Sequence, residues 1–544
     1  MKCLLPVVFC ALLSAAAVAQ TQHQPETFRG LTDRQVVSDT LPGMQRIKDF
    51  VADGKIRLSL HDAIEVALEN NTGIRVQQLQ IQTARYGLLA AHQPFDPFVQ
   101  SQFNAVRSTI PTTSSLQGAP TVSSLSQTGS VNYFQTFETG TSISGGISSS
   151  RLSTNSTFNF LNPSYSSAVN FGFTQPLLRN RWTFANQAPL VISRRSIQQS
   201  RANLEAQCSD TVLTVVNRYW DVVQARGNLD VEKESLQAAE ASYNRDKRAL
   251  ELGALPPLDI YRSEAEVAAR KVSLIQGEYA VKQAEDALRY VLGMNIDSAY
   301  RALDLELTEN PEPQGELLTT DEATTLQLAL AHRPEFEAVR QSLANDDTSI
   351  RLAHNNMLPD LRLSGSYSSN GTGGTQYDTS VVPPALISNG GLGQSFSQVF
   401  GFGFPTYGVT LALNFPIKNR SAQAELGNAL VSRKTDLYRD RGLREQITLE
   451  VSNAVHALEQ AKLSLEASKV SLDLAQKNLS AEQRKYELGS ETIFFVLDAQ
   501  SQVAQAQARV LQSEVGYQIS LAEIDHAGGQ LLQKFSIILN QLSK

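Results

Sequence analysis

The sequence is poor in the residues that perform chemistry. Of its three cysteines, Cys3 and Cys10 fall in the first ten positions and Cys208 stands alone in the body of the chain. One such thiol makes no internal disulfide, and no Cys/His cluster has metal-site spacing. The pattern GxxxxGK[ST] is absent, which excludes a P-loop ATP step in this chain. After the N-terminus no run approaches the twenty apolar residues of a transmembrane helix. Basic residues are not in excess: 47 Lys and Arg face 54 Asp and Glu, for a net charge of −7. A nucleic-acid groove wants the opposite balance. No Ser/His/Asp arrangement stands out, so no enzyme, cofactor or metal site is expected.

What is present begins with MKCLLPVVFCALLSAAAVAQ. Lys2, an apolar core from Leu4 to Leu13 and the small-residue site Ala17-Val18-Ala19 predict a signal peptide over 1–19. Cys10 follows Phe9 rather than a small residue, so no lipid anchor is expected. Cleavage would leave Cys208 as the one thiol.

Beyond that segment the chain repeats itself at an offset of 236 residues, the separation of Gly253 and Gly489. Val215, Val222, Leu229, Leu236, Tyr243 and Leu250 recur every seven positions. Their counterparts are Val451, Leu458, Leu465, Leu472, Leu479 and Tyr486. The returning rows also match, with Ile260, Val267 and Leu274 over Val496, Val503 and Val510. A looser match, at an offset of 262, sets His92 and Pro97 over His354 and Pro359. Repeats of this length indicate a duplicated domain rather than a short-period solenoid.

Each copy predicts a helix, a β-insertion, a long helix, a tip and a returning helix. We place an irregular segment at 20–57 and the first repeat at 58–293, with its β-insertion at about 98–178 and its tip at about 252–257. A linker at 294–319 joins the second repeat, 320–531, with its β-insertion at about 361–417 and its tip at about 488–493; 532–544 is a tail. The helices leading to the tips approach 70 residues, roughly 100 Å at 1.5 Å per residue. A strict seven-residue period implies supercoiling against neighbours. Alternating stretches such as FVQSQFNAV and YGVTLALNF predict strands, about two long ones per insertion. Ser/Thr/Gly tracts at 108–130 and 364–395 read as loops.

Four long strands cannot close a barrel, and an open sheet edge is not tolerated in lipid, so a membrane-spanning chain of this kind must oligomerise. Aromatics around the insertions (Phe95, Phe98, Phe103, Phe171, Phe173, Tyr407, Phe415) suit interfacial girdles. A soluble β-lobe with ordinary core aromatics is the plainer alternative.

The order signal peptide, duplicated helix–strands–helix–helix unit, QPLLRNR leaving the first insertion and the tips ALELGALPPLDIYR and KYELGSETIFFVLDAQ resembles the TolC outer-membrane efflux family over roughly 58–531. The resemblance implies a fold mainly α with β-insertions and a homotrimer. Three chains would form a transmembrane β-barrel of about 12 strands in outer-membrane lipid, continued by a long α-helical periplasmic tunnel. It implies a passive exit channel of a tripartite efflux or type I secretion system, with a periplasmic adaptor (membrane fusion) protein and an inner-membrane transporter as partners. The first insertion is longer than the family pattern, with extra strands expected around 131–149 that either enlarge the barrel or sit outside it.

In that setting Leu252, Gly253, Leu488 and Gly489 are expected to meet the adaptor. Gly permits the reversal, and simple turn chemistry is the alternative role. Asp498 matches a family acid just past the second tip, and Asp259 one near the first. Phe495 stands where some relatives carry a second acid. The resemblance therefore implies a periplasmic gate with an apolar constriction at Phe495 beside one acidic ring. A solvated carboxylate near a helix N-terminus explains Asp498 equally well.

Other features have bland readings. Gly401–Phe404 and Gly371–Gly374 are Gly-rich but lie in the second insertion. His92 and His354 fit helix C-termini, and Cys208 fits helix packing. Two other classes compete. A secreted coiled-coil structural protein explains the heptads but not two matched β-insertions. A periplasmic adaptor carries one helical hairpin, whereas two are predicted here.

Overall fold

The computed structural model describes residues 46–537, less 53, 113–118, 157–158, 253–257, 259, 296–297, 379–380 and 382–384. The expected signal peptide, the segment up to residue 45 and the end of the tail lie outside it. So do Gly253 and Asp259.

The described residues open with a 3-10 turn (Ile47–Phe50), followed by β1 (Val51–Ala52) and β2 (Lys55–Leu58), then α1 (Leu60–Asn70) and α2 (Thr72–Ala91). Part of the segment read as irregular is thus strand, with Ile56 fully buried and Leu58, just beyond it, buried as well. Ser59 caps α1 through a reciprocal box: its Oγ accepts from the Asp62 amide at 3.2 Å, and its own amide donates to Asp62 Oδ2 at 3.0 Å. Asn71 caps α2 by accepting from Gly73 N at 2.9 Å.

The first insertion holds four long strands: β3 (Phe98–Pro111), β4 (Thr121–Thr136), β5 (Ser142–Thr154) and β6 (Leu161–Pro176). α3 (Trp182–Glu251) then runs for 70 residues to the first tip, with Pro189 inside it, and α4 (Ile260–Val291) returns. α5 (Ser298–Arg301) and β7 (Asp304–Leu307) lie within the expected linker. β7 pairs in parallel with β2, Leu305 against Ile56. α6 (Glu322–His332), capped by Asp321, and α7 (Pro334–Asn356) lead into β8 (Asp360–Asp378), β9 (Ala385–Asn389), α8 (Leu392–Phe400) and β10 (Pro405–Asn414). α9 (Arg420–Glu487) runs 68 residues to the second tip; α10 (Ile493–Ala527) and α11 (Leu531–Lys534) complete the order.

The heptad rows lie in seams. Val215, Val222, Val451, Leu458 and Leu465 are buried, whereas Leu229, Leu236 and Leu472, nearer the tips, are half-buried. Leu229 of α3 packs over Gly277 of α4. Around α9 one core joins Phe336, Ile447, Val451, Leu458, Leu465, Tyr517 and Ile524.

The long strands form one antiparallel sheet in the order β10-β8-β6-β5-β4-β3, and β9 pairs the far end of β8. Two readings are corrected here. The first insertion supplies four long strands rather than two, and the added pair, β4 and β5, spans the stretch around 131–149 where extra strands were expected. The tracts read as loops at 108–130 and 364–395 are largely strand, apart from α8. Ser and Thr are compatible with a strand whose one face meets water, so polar composition alone did not mark a turn.

Candidate functional site

Two regions carry surface that a single chain leaves unfinished: the helical tips and the sheet. At the second tip α9 ends at Glu487. Gly489 adopts φ +72°, a conformation few other residues accept. The Gly489 amide donates to Tyr486 O at 3.0 Å and the Ser490 amide to Lys485 O at 3.0 Å, so the reversal also satisfies the last helical carbonyls. Leu488 beside it is 72 % exposed. At the first tip Leu252 is 84 % and Leu258 78 % exposed.

Past the second tip, Ile493, Val496 and Ala499 are buried, while Phe494 and Phe495 point outward with edge-to-face rings 5.4 Å apart. Asp498 lies on the exposed side and accepts from Gln502 Nε2 at 2.7 Å. Phe495 and Asp498 thus share one outward side of the first turns of α10.

The same end holds contacts that the sequence did not suggest. The Arg245 guanidinium lies 5.2 Å from the Tyr486 ring centre, linking α3 to α9. Burial pushes the Tyr486 phenol up; the neighbouring Asp246 charge adds to this and Arg245 opposes it. Asp246 is fully buried and accepts from Ser263 Oγ across the first hairpin. Its Oδ1 has no hydrogen-bond partner among the described residues. These residues sit on different helices, and no local spacing signals them.

The sheet has two unlike faces. Directly paired residues on neighbouring antiparallel strands share a face. Tyr407, Tyr367, Phe171, Gly145, Tyr133 and Val99 therefore form one continuous row across all six long strands. Val409, Phe173 and Ile143 lie beside it on the same face. The reverse face carries Thr406, Ser368, Asn170, Gly146, Asn132 and Gln100 in the adjacent row. On β10 the apolar set is largely exposed, with Tyr407 at 81 % and Val409 at 79 %. α8 lies on β8 and β6: Ser395 Oγ is 2.8 Å from Ser167 Oγ, and Ser369 Oγ donates to Val399 O at 2.6 Å.

Among the described residues no group of three or more His, Cys, Asp or Glu side chains is placed to hold a metal, and no helix is long and apolar enough to cross a membrane. The latter says nothing of strands.

Comparison with known proteins accords with this geometry. The family model "Outer membrane efflux protein" matches residues 138–294 and 325–530. Outer membrane protein TolC of Vibrio cholerae serotype O1 is 22 % identical over 379 residues, 68 % of this chain and 77 % of that protein. TolC of Escherichia coli K12 is 23 % identical over 339 residues, covering 61 % and 64 % of the two chains. In fold, the chain is similar to the Campylobacter jejuni CmeC outer membrane channel, with TM-score 0.62, 14 % identity and 96 % of both chains covered. It is also similar to VceC of Vibrio cholerae, with TM-score 0.60, 14 % identity and coverage of 86 % and 96 %. With two thirds of its length matched by the family model, and with a sheet of one apolar and one polar face set on long helical hairpins, this chain belongs to the outer membrane efflux protein family, the TolC-like outer membrane factors, and is an outer-membrane protein.

Proposed function

We propose that three copies of this chain assemble into a passive exit channel, with the sheets closing a barrel in the outer membrane and the hairpins forming a periplasmic tunnel. The observation that carries this is the open sheet: an apolar row runs unbroken from β3 to β10, its reverse is polar, and both edges lack a partner strand among the described residues. An open edge in lipid would leave its backbone groups unsatisfied at several kcal/mol each. The polar face then lines a water-filled path, and energy comes from partners. On this reading each chain contributes two repeats, and the tips at Leu252, Gly253, Leu488 and Gly489 meet a periplasmic adaptor that couples the channel to an inner-membrane transporter. Phe495 and Asp498, with Asp259 near the first tip, line the gate.

Mass in detergent tests the assembly. The purified protein should weigh about three mature chains and migrate as a heat-modifiable trimer from the outer-membrane fraction. A monodisperse monomer with its β-content intact would overturn it. In a strain dependent on this channel, Leu488→Asp should abolish export while the trimer persists. Unchanged export with normal adaptor crosslinking would remove the tips from that role.

A further inference from the structure

Six strands per chain, rather than four, change what the assembly must be. We infer that β3 of one copy pairs with β10 of the next, so that each copy inserts all six long strands into one ring, eighteen in a trimer. The inference rests on the multimeric channel reading and is argued from strand directions and registers within one chain.

The strands alternate in direction across the sheet. Because their number is even, β3 and β10 run in opposite directions. Any copy placed edge to edge with another therefore meets it in antiparallel register, the arrangement already used at every long-strand pairing inside the chain. Among the described residues neither edge has a further partner strand, and α8 sits mainly on β8 and β6. The faces agree as well, since Val99 at one end and Tyr407 at the other lie in the same apolar row.

The internal register supplies the stagger. Phe98 is the first residue of β3, where the chain arrives from the helices. Following its pairs across the sheet gives Phe134, Ser144, Gly172, Ser366 and finally Gly408. Gly408 lies six residues before Asn414, the last residue of β10, where the chain returns to the helices. If both strands meet the helical part at one level, Phe98 of one copy stands opposite Asn414 of the next. The ring then gains six residues of shear for every six strands. Equal shear and strand number, at about 3.3 Å per residue and 4.8 Å between strands, set a tilt of about 35°, at the edge of the range closed barrels adopt. This value does not depend on how many copies close the ring. At that tilt eighteen strands enclose a barrel about 34 Å across between backbones, against about 22 Å for twelve, and barrels of that strand number hold an aqueous channel.

The register also names the pairs. Ser101 faces Leu411, Phe103 faces Val409 and Ala105 faces Tyr407, all on the apolar face. A slip of one residue would turn one strand's apolar set to the polar side. The rival arrangement leaves the β4–β5 hairpin outside the ring and joins β3 directly to β6, giving four strands per copy.

Cysteine pairs on the full chain in outer membranes, in a Cys208→Ala background, separate these. Ser101→Cys/Leu411→Cys and Phe103→Cys/Val409→Cys should each convert most of the chain to covalent multimers on oxidation. Within one chain the two edges are five strand spacings apart, about 24 Å, so a bond there joins two copies. Ser101→Cys/Val131→Cys and Ile147→Cys/Val169→Cys should close within one chain. Native multimers in which neither edge pair crosslinks would overturn the β3–β10 seam. Closure of Ser101→Cys/Val169→Cys in place of the two internal pairs would overturn the six-strand ring. Edge crosslinks in a ring whose mass is not three chains would keep the seam and reject the trimer, so the two readings fail separately.

Discussion

At the scale of single residues, burial decides the chemistry. Cys208 is wholly buried on α3. Burial, reinforced by Glu205, pushes its thiol from about 9.0 up to about 12. The thiolate is the reactive form, so the native protein should leave Cys208 unmodified by a thiol reagent at pH 8.5, while the denatured chain reacts at once. Equal rates in the two states would contradict the packing of α3. The same shift has a sign for stability. The fold accepts the neutral thiol, whereas the unfolded thiol ionises from about pH 9.0. Its contribution is therefore intact below that pH and is lost as pH rises toward 12. Cys208 was legible in the sequence as a packing residue because it stands alone on a long helix. Asp246 with Ser263, and Arg245 with Tyr486, were not. Each pair meets across two helices, and nothing in the local pattern of either member names its partner.

At the scale of elements, the seven-residue rows and the sheet differ in how openly the sequence declares them. A heptad is a long, strict period, and the two helices that carry it run 70 and 68 residues, to Glu251 and Glu487. The strands were harder to read, for a physical reason. A strand with one face toward water needs apolar residues only at every second position, and here many of those positions are Gly or Ser. Gly365 illustrates why: a Cβ there would come within 2.2 Å of the Phe173 ring, so the aromatic occupies the glycine's side-chain space and the apolar signal moves to the neighbouring strand. The seams predict graded costs. Leu465 is 1 % exposed within the core around α9, so Leu465→Ala should cost about 2–5 kcal/mol. It should lower the temperature at which the assembly dissociates on heating. Leu472→Ala, half-buried one heptad further toward the tip, should cost less. Equal losses at both positions would mean that the tip end gains as much burial from neighbouring copies as the core has within one chain.

At the scale of the whole molecule, the question is what narrows the path. In the proposed trimer three α10 helices bring three copies of Phe495 and Asp498 together at the periplasmic end. Phe495 is 45 % exposed in one chain, and Asp498, on the exposed side, accepts from Gln502 of its own helix. Neither is used up by packing within the chain. A ring of three carboxylates favours cations and binds multivalent ones strongly enough to impede flow, and a ring of aromatic side chains resists passage by dewetting. The two act differently in a planar bilayer. Asp498→Ala should reduce cation selectivity and weaken block by multivalent cations. Phe495→Ala should raise the resting conductance and leave selectivity nearly unchanged. The proposed barrel would not mask either effect: at about 34 Å between backbones for eighteen strands its resistance would be small beside that of a constricted helical end. If neither substitution moves conductance, selectivity or block, the narrowest point lies elsewhere, and the buried Asp246–Ser263 contact at the same end becomes the next place to test.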